Sequence, residues 1–194
     1  MQKIKAAGFN AFSIYSHWGW HSPADGELDF ETGAHNFTRI FDIAKDIGLY
    51  ILVRPGPYIN AETTAGGFPG WLLTGDYGTL RNNDTRYTEA WTPYWDAMSS
   101  LVANHSVTTG GNVILYQIEN EYGEQWTDIE ARTPNETAIA YMELLEAAAY
   151  SNGINIPTIA NNPNLGSKSW SLDYDINHVG GDTDLYGLDN YPSW

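Results

Sequence analysis

The chain has 194 residues, 42% of them hydrophobic, no cysteine, and 24 acidic against 9 basic side chains, a formal charge of −15. That excess of carboxylate argues against nucleic acid and anionic membrane as partners, since both select cationic surface, and the missing cysteines exclude disulfides and thiolate metal sites. The length suits one domain or a large part of one, no run is apolar for long enough to span a bilayer, and the residues after Met1 hold no signal-peptide core.

Gln2 to Gly8 reads as the end of a helix stopped by glycine, and a domain opening this way is expected to have lost what precedes it. Phe12 to Ser16 alternates as a strand and runs into the ring-rich stretch His17 to Pro23. His17 and His21 have ligand spacing only on a helix, and Gly19 with Pro23 argues against one, so no metal is expected. Phe37, Ile40, Phe41, Ala44 and Ile47 fall at helical spacing up to Gly48. Leu49 to Val53 follows as a fully buried strand, and so short a joint belongs to a repeated parallel βα unit. Arg54-Pro55-Gly56-Pro57-Tyr58-Ile59-Asn60-Ala61-Glu62 then sets polar side chains at that strand's end. After a glycine-rich loop, Tyr87, Trp91, Tyr94, Trp95, Met98 and Leu101 trace a helix, with a kink or a restart at Thr92 expected from Pro93.

The most informative stretch comes next: Val113 to Ile118 is an apolar run opening into Glu119-Asn120-Glu121-Tyr122-Gly123. Alternation puts Val113, Leu115, Gln117, Glu119 and Glu121 on one face and Ile114, Tyr116 and Ile118 on the other. The second face suits helices, while the first turns polar at its end, as in a barrel strand whose top lines an active site. A buried carboxylate is costly unless partnered, so at least one of the two glutamates is expected to have a shifted proton affinity, as a general acid or in a structural ion pair.

Further on, Thr133-Pro134-Asn135-Glu136 is a capping box opening a helix through Tyr141, Leu144, Leu145 and Ala148 to Gly153. Ile156 to Ala160 and Leu185 to Pro192 read as further strands, and Asn164 to Thr183 as loop. Strands alternating with helices fit a (β/α) barrel or an open doubly wound sheet. No phosphate-cradling glycine pattern follows any strand. Many of the 8 Trp and 13 Tyr lie beside Gly, Pro and Asn, where exposed rings make walls for a sugar.

Gly110-Gly111 followed by Gln117-Ile118-Glu119-Asn120-Glu121-Tyr122 resembles the signature of family 35 glycoside hydrolases, the β-galactosidases. Asn112 stands where that family usually has proline. Arg54 to Glu62 resembles a second family segment, and Gly187-Leu188-Asp189-Asn190-Tyr191-Pro192 is similar to the large secreted fungal members. The resemblance runs the length of the chain and implies a TIM (β/α)8 barrel, incomplete here. Residues 1–194 would be a partial catalytic domain supplying about strands two to six, with further strands and domains in the parent chain. It implies a retaining hydrolysis of terminal β-D-galactose residues, with no cofactor and no metal. Glu121 would be the general acid and base and Asn120 the holder of the 2-hydroxyl. Asn60, the backbone of Ala61 and Glu62 would hold other galactose hydroxyls, Tyr15 would line the pocket, and Tyr191 would reach toward the catalytic nucleophile.

In the family the nucleophile is a glutamate at the end of strand seven, beyond this chain, so the fragment alone is expected to be inactive. Glu119 would be a buried support, paired with Arg54. If Asn120 and Glu121 both face the sugar, the strand has to break or bulge between them. The resemblance also implies a secreted glycoprotein, and Asn36-Phe37-Thr38, Asn83-Asp84-Thr85, Asn104-His105-Ser106 and Asn135-Glu136-Thr137 are acceptor sequons. Two alternatives stand beside it: a carbohydrate-binding fragment without chemistry, and a related barrel glycosidase acting on another β-linked sugar.

Overall fold

The computed structural model describes residues 1–122, 136–162 and 183–189. The strands are β1 (Ala11–Tyr15), β2 (Tyr50–Arg54), β3 (Val113–Gln117), β4 (Thr158–Asn162) and β5 (Leu185–Leu188). All neighbours are parallel and the sheet order is β1-β2-β3-β4-β5, the order of the chain. An open doubly wound sheet reverses its order at a switch point. Here there is no reversal, and the fold is the βα grammar of a TIM barrel, of which these are five consecutive strands.

The helices among the described residues are α1 (Gln2–Ala6), α2 (Trp18–His21), α3 (Phe37–Asp46), α4 (Gly70–Thr74), α5 (Thr85–Asn104) and α6 (Glu136–Ser151). Of these, α3, α5 and α6 cover one face of the sheet. Ile51, Val53, Val113 and Tyr116 are buried in one core with Phe41 of α3, Trp91, Trp95 and Met98 of α5, and Tyr141 and Leu145 of α6. Tyr116 places its ring edge-on to Trp95 and shares a 2.8 Å hydroxyl contact with Ser99, so the apolar face of β3 meets α5 as the alternation requires. Val113 aligns with Ile51 but Leu115 with Leu52, an extra β3 residue that breaks the alternation at the start of the strand.

Three expectations need correction. The second strand is not fully buried: Ile51 and Val53 face the helices, whereas Tyr50 on the opposite face is 48% exposed. As expected of a partial barrel, the five strands among the described residues do not close, and no further described strand covers their inner face. His17 to Pro23 does contain a helical turn, α2, with His17 as its N-cap accepting from the Trp20 N–H at 3.1 Å. Gly19 is there for close approach rather than as a breaker, because a Cβ at that position would lie 2.8 Å from the Phe68 carbonyl oxygen. His17 Nε2 lies 3.0 Å from the Thr63 hydroxyl and His21 Nδ1 donates to the Asp29 carbonyl at 2.7 Å, so both rings serve to tie loops together.

The third correction concerns α5, a single helix of 20 residues with no restart at Thr92. Pro93 removes one backbone bond, but Trp91, Tyr94, Trp95 and Met98, each no more than 1% exposed, anchor the helix on both sides of it. The capping residues 133–135 and the stretch 163–182 lie outside the described residues. Among the described residues no helix is long and apolar enough to cross a membrane.

Candidate active site

The strand register brings one rim of the sheet together. Tyr15 at the end of β1 aligns with Arg54 at the end of β2, Val53 with Tyr116, Gln117 with Ile159, and Asn161 with Gly187. Everything polar that follows these positions therefore gathers at the carboxyl ends of the strands. That is where parallel barrels keep their chemistry.

Beyond Gln117 the β3 ladder stops. Glu119 has φ +62° and Glu121 φ +49°, left-handed conformations that cost a non-glycine residue about 1–2 kcal/mol each. The break required to turn Asn120 and Glu121 toward one region is thus present. The broken segment stays attached through its backbone: Ile118 N–H donates to the Ile159 carbonyl at 2.8 Å, Glu119 N–H to the Gly56 carbonyl at 2.8 Å, and Glu121 N–H to Asn161 Oδ1 at 3.0 Å. Gln117 Nε2 donates to the same Asn161 oxygen at 2.9 Å, and Asn161 Nδ2 donates to Asp189.

Glu119 is 1% exposed. Its partner is Arg81, not Arg54. Arg81 Nη2 donates to Oε2 at 2.7 Å and Nε to Oε1 at 3.3 Å, while the Tyr141 hydroxyl donates to Oε1 at 2.9 Å and the Asn120 N–H to Oε2 at 2.9 Å. The left-handed turn carries the Glu119 carboxylate to the Arg81 loop and α6. Arg54 remains on the inner face, with its guanidinium 4.3 Å over the Tyr15 ring. Arg54 Nη2 donates to Asn120 Oδ1 at 2.8 Å and lies 3.5 Å from Asp189 Oδ2. Burial works against the Arg81 charge, but the Glu119 carboxylate outweighs it and holds the guanidinium pKa above its ordinary value. Burial, then the Glu119 charge, likewise pushes the Tyr141 phenol well up, so it stays a neutral donor.

Glu121 is partly exposed, and its Oε2 accepts from Asn60 Nδ2 at 3.5 Å. Asn60, itself at φ +50°, is fixed from behind by the Tyr58 hydroxyl, which donates to its Oδ1 at 3.0 Å. The loop folds back over Tyr58 only because residue 66 is glycine: a Cβ there would lie 2.3 Å from the ring. Ala61 donates its N–H to the Gly66 carbonyl at 3.1 Å. Glu62 is exposed on the same loop, and Tyr15 is 42% exposed. Glu121 thus meets Asn60, Asn120 is held by the same Arg54 that covers Tyr15, and Ala61 and Glu62 adjoin them; Tyr191 lies outside the described residues.

Sequence reasoning alone misses Arg81, Tyr58 and Tyr141 as parts of this network. For Arg81 the available signal is scarcity, since a chain with 9 basic residues leaves few cations to neutralise a buried carboxylate. Tyr141 reads as core because it sits at helical spacing, and its hydroxyl function cannot be seen in that pattern.

What the strands and their rim define is a (β/α)-barrel protein with a carboxylate and amide site at the carboxyl ends of its strands. The model of glycosyl hydrolases family 35 matches residues 1–188, and the chain belongs to that family. It is 58% identical over 194 residues to a protein of Aspergillus niger named probable beta-galactosidase B, and 56% identical to one of the same name from Sclerotinia sclerotiorum. Each match covers 100% of this chain but 19% of the relative, so the chain spans about a fifth of their length.

Among solved structures, GH5_18 from Streptomyces cattleya superposes with a TM-score of 0.65 at 15% identity, covering 88% of this chain and 39% of that one. A beta-galactosidase from the psychrophilic Marinomonas ef1 superposes at 0.60 with 16% identity, covering 98% and 38%. At such identities the likeness establishes the barrel fold alone.

Proposed function

We propose that residues 1–194 are part of a catalytic barrel domain, and that the whole protein hydrolyses terminal β-D-galactosides with retention of configuration. The observation that carries the proposal is the Glu121 carboxylate, partly exposed past the broken end of β3 and met by the Asn60 amide at 3.5 Å. Family membership and the names of the fungal relatives supply the sugar and the reaction.

Glu121 protonates the glycosidic oxygen as a second carboxylate attacks the anomeric carbon, then takes a proton from the water that releases the sugar. That second carboxylate comes from a strand outside residues 1–194. Arg54 Nε supports this, being buried without a hydrogen-bond partner among the described residues and therefore ready for an acceptor arriving at the inner face. Asn120 and Asn60 hold sugar hydroxyls, Glu62 and the Ala61 backbone hold others, Tyr15 lines the pocket, and Tyr191 reaches toward the nucleophile.

The proposal includes secretion and N-glycosylation, supported by the sequons and by the exposure of Asn104. A mass shift of the native protein on deglycosylation checks that part.

The activity is tested with the complete protein on a panel of aryl β-glycosides. The galactoside should be hydrolysed fastest and with retained anomeric configuration. Preference for a glucoside or mannoside would move the assignment to a related barrel glycosidase. Sugar binding without turnover, insensitive to Glu121→Ala, would make this a carbohydrate-binding protein.

A further inference from the structure

Five non-glycine residues have left-handed φ among those described: Asn60, Ala65, Arg81, Glu119 and Glu121. Such conformations persist only where the surroundings over-determine them. Four of the five are linked by a chain of contacts that runs through the Arg81 side chain. Arg81 grips the Glu119 carboxylate through two nitrogens, and its Nη2 also donates to the Asn120 carbonyl at 2.7 Å. The guanidinium lies 4.2 Å over the Tyr58 ring, whose hydroxyl holds Asn60, whose amide in turn meets Glu121. The Tyr122 ring centroid lies 5.2 Å from the same guanidinium, and the Tyr122 hydroxyl donates to the Arg81 carbonyl at 2.6 Å. Arg81 therefore holds the backbone just before Glu121, the residue just after it, and the ring behind its amide partner.

We infer that Arg81 is a positioning residue for proton transfer by Glu121, an inference that rests on the acid and base role proposed above. With Arg81 gone, the Asn120 carbonyl and the Glu119 carboxylate lose their common donor, and only the bonds to Gly56, Asn161, Tyr141 and Arg54 are left to oppose relaxation of residues 119–121 toward ordinary extended backbone. The Glu121 carboxylate then leaves the line of the glycosidic oxygen, and displacements of about 1 Å cost a reaction about 10²-fold. A lysine keeps the charge but lacks the planar fork needed to reach a carboxylate and a carbonyl together.

The test uses the complete protein and the ratio of kcat/KM for a galactoside with a poor leaving group to that for an activated aryl galactoside. An inactive fraction cancels from this ratio, so loss of fold alone leaves it unchanged. Arg81→Met should lower the ratio about 10- to 100-fold, toward the value for Glu121→Gln. Arg81→Lys should fall between, and Tyr122→Phe should move the ratio less but in the same direction. An unchanged ratio in these variants, beside a normal drop for Glu121→Gln, overturns the inference and leaves the role of Glu121 intact. If Arg81→Met does not fold, Arg81→Lys and Tyr122→Phe decide by the same criterion. An unchanged ratio in Glu121→Gln itself overturns the acid role and the inference with it.

Discussion

Glu119 and Glu121 stand two residues apart and do opposite things. The Glu119 carboxylate accepts four hydrogen bonds among the described residues and is closed off from water, whereas Glu121 keeps partial exposure and an amide neighbour at 3.5 Å. Removing one partner of a buried ion pair typically costs about 3–5 kcal/mol because the other charge is stranded. Glu119→Ala should lower the stability of the barrel domain by about that much, read from the shift in its denaturant midpoint followed by buried tryptophan fluorescence. A midpoint displaced by less than about 1 kcal/mol would mean that Arg81 and Tyr141 find other partners. The sequence discloses that acids sit at the end of a buried strand, but not which cation neutralises them. That choice is made by one left-handed residue, Glu119, which turns the carboxylate from the Arg54 side to the Arg81 side.

Among the elements, α3, α5 and α6 are legible because their apolar residues recur at the helical period over several turns. The short ones are not. α2 is hidden by Gly19, whose missing side chain makes room for the Phe68 carbonyl. β4 starts at Thr158, two residues later than the apolar pattern suggests, because Pro157 has no N–H to donate and only its carbonyl serves the sheet, accepting from Tyr116 at 3.1 Å.

A cap offers a test at this scale. Asn36 Oδ1 accepts from the Arg39 N–H at 2.8 Å at the start of α3, and the same asparagine heads a sequon. Asn36→Ala should cost about 1 kcal/mol. Asn36→Asp, which removes the sequon equally but keeps the capping oxygen, should cost little. Equal losses in thermal unfolding would assign the effect to a glycan rather than to the cap.

At the scale of the molecule, parallel strands in chain order with polar residues past each strand end make the barrel readable from sequence, and the family segments make it specific. The openness of the inner face is not readable in the same way, since a strand's apolar run does not say whether both faces are covered. β1 and β5 are the two outermost strands of the sheet among the described residues, and Leu185, Tyr186 and Leu188 are exposed. Residues 1–194 expressed alone should therefore aggregate and show no galactosidase turnover, as checked by size-exclusion chromatography and assay.

A second prediction concerns alkaline stability. Burial raises the phenols of Tyr87, Tyr94, Tyr116 and Tyr141 above the usual 10.0. In the unfolded chain such phenols ionise near pH 10. Their contribution is complete below that pH and is lost as the pH rises above it, because only the unfolded state gives up the protons. Absorbance titration should show a set of tyrosines that ionises only together with unfolding.

Glu121 is proposed as the proton donor, and its removal tests that role most directly. In the complete enzyme, Glu121→Gln should retain galactose binding and slow hydrolysis of galactosides with poor leaving groups by about 10²- to 10⁴-fold, with a much smaller effect on the galactosylation step of activated aryl galactosides. An equal loss for both kinds of leaving group would contradict it.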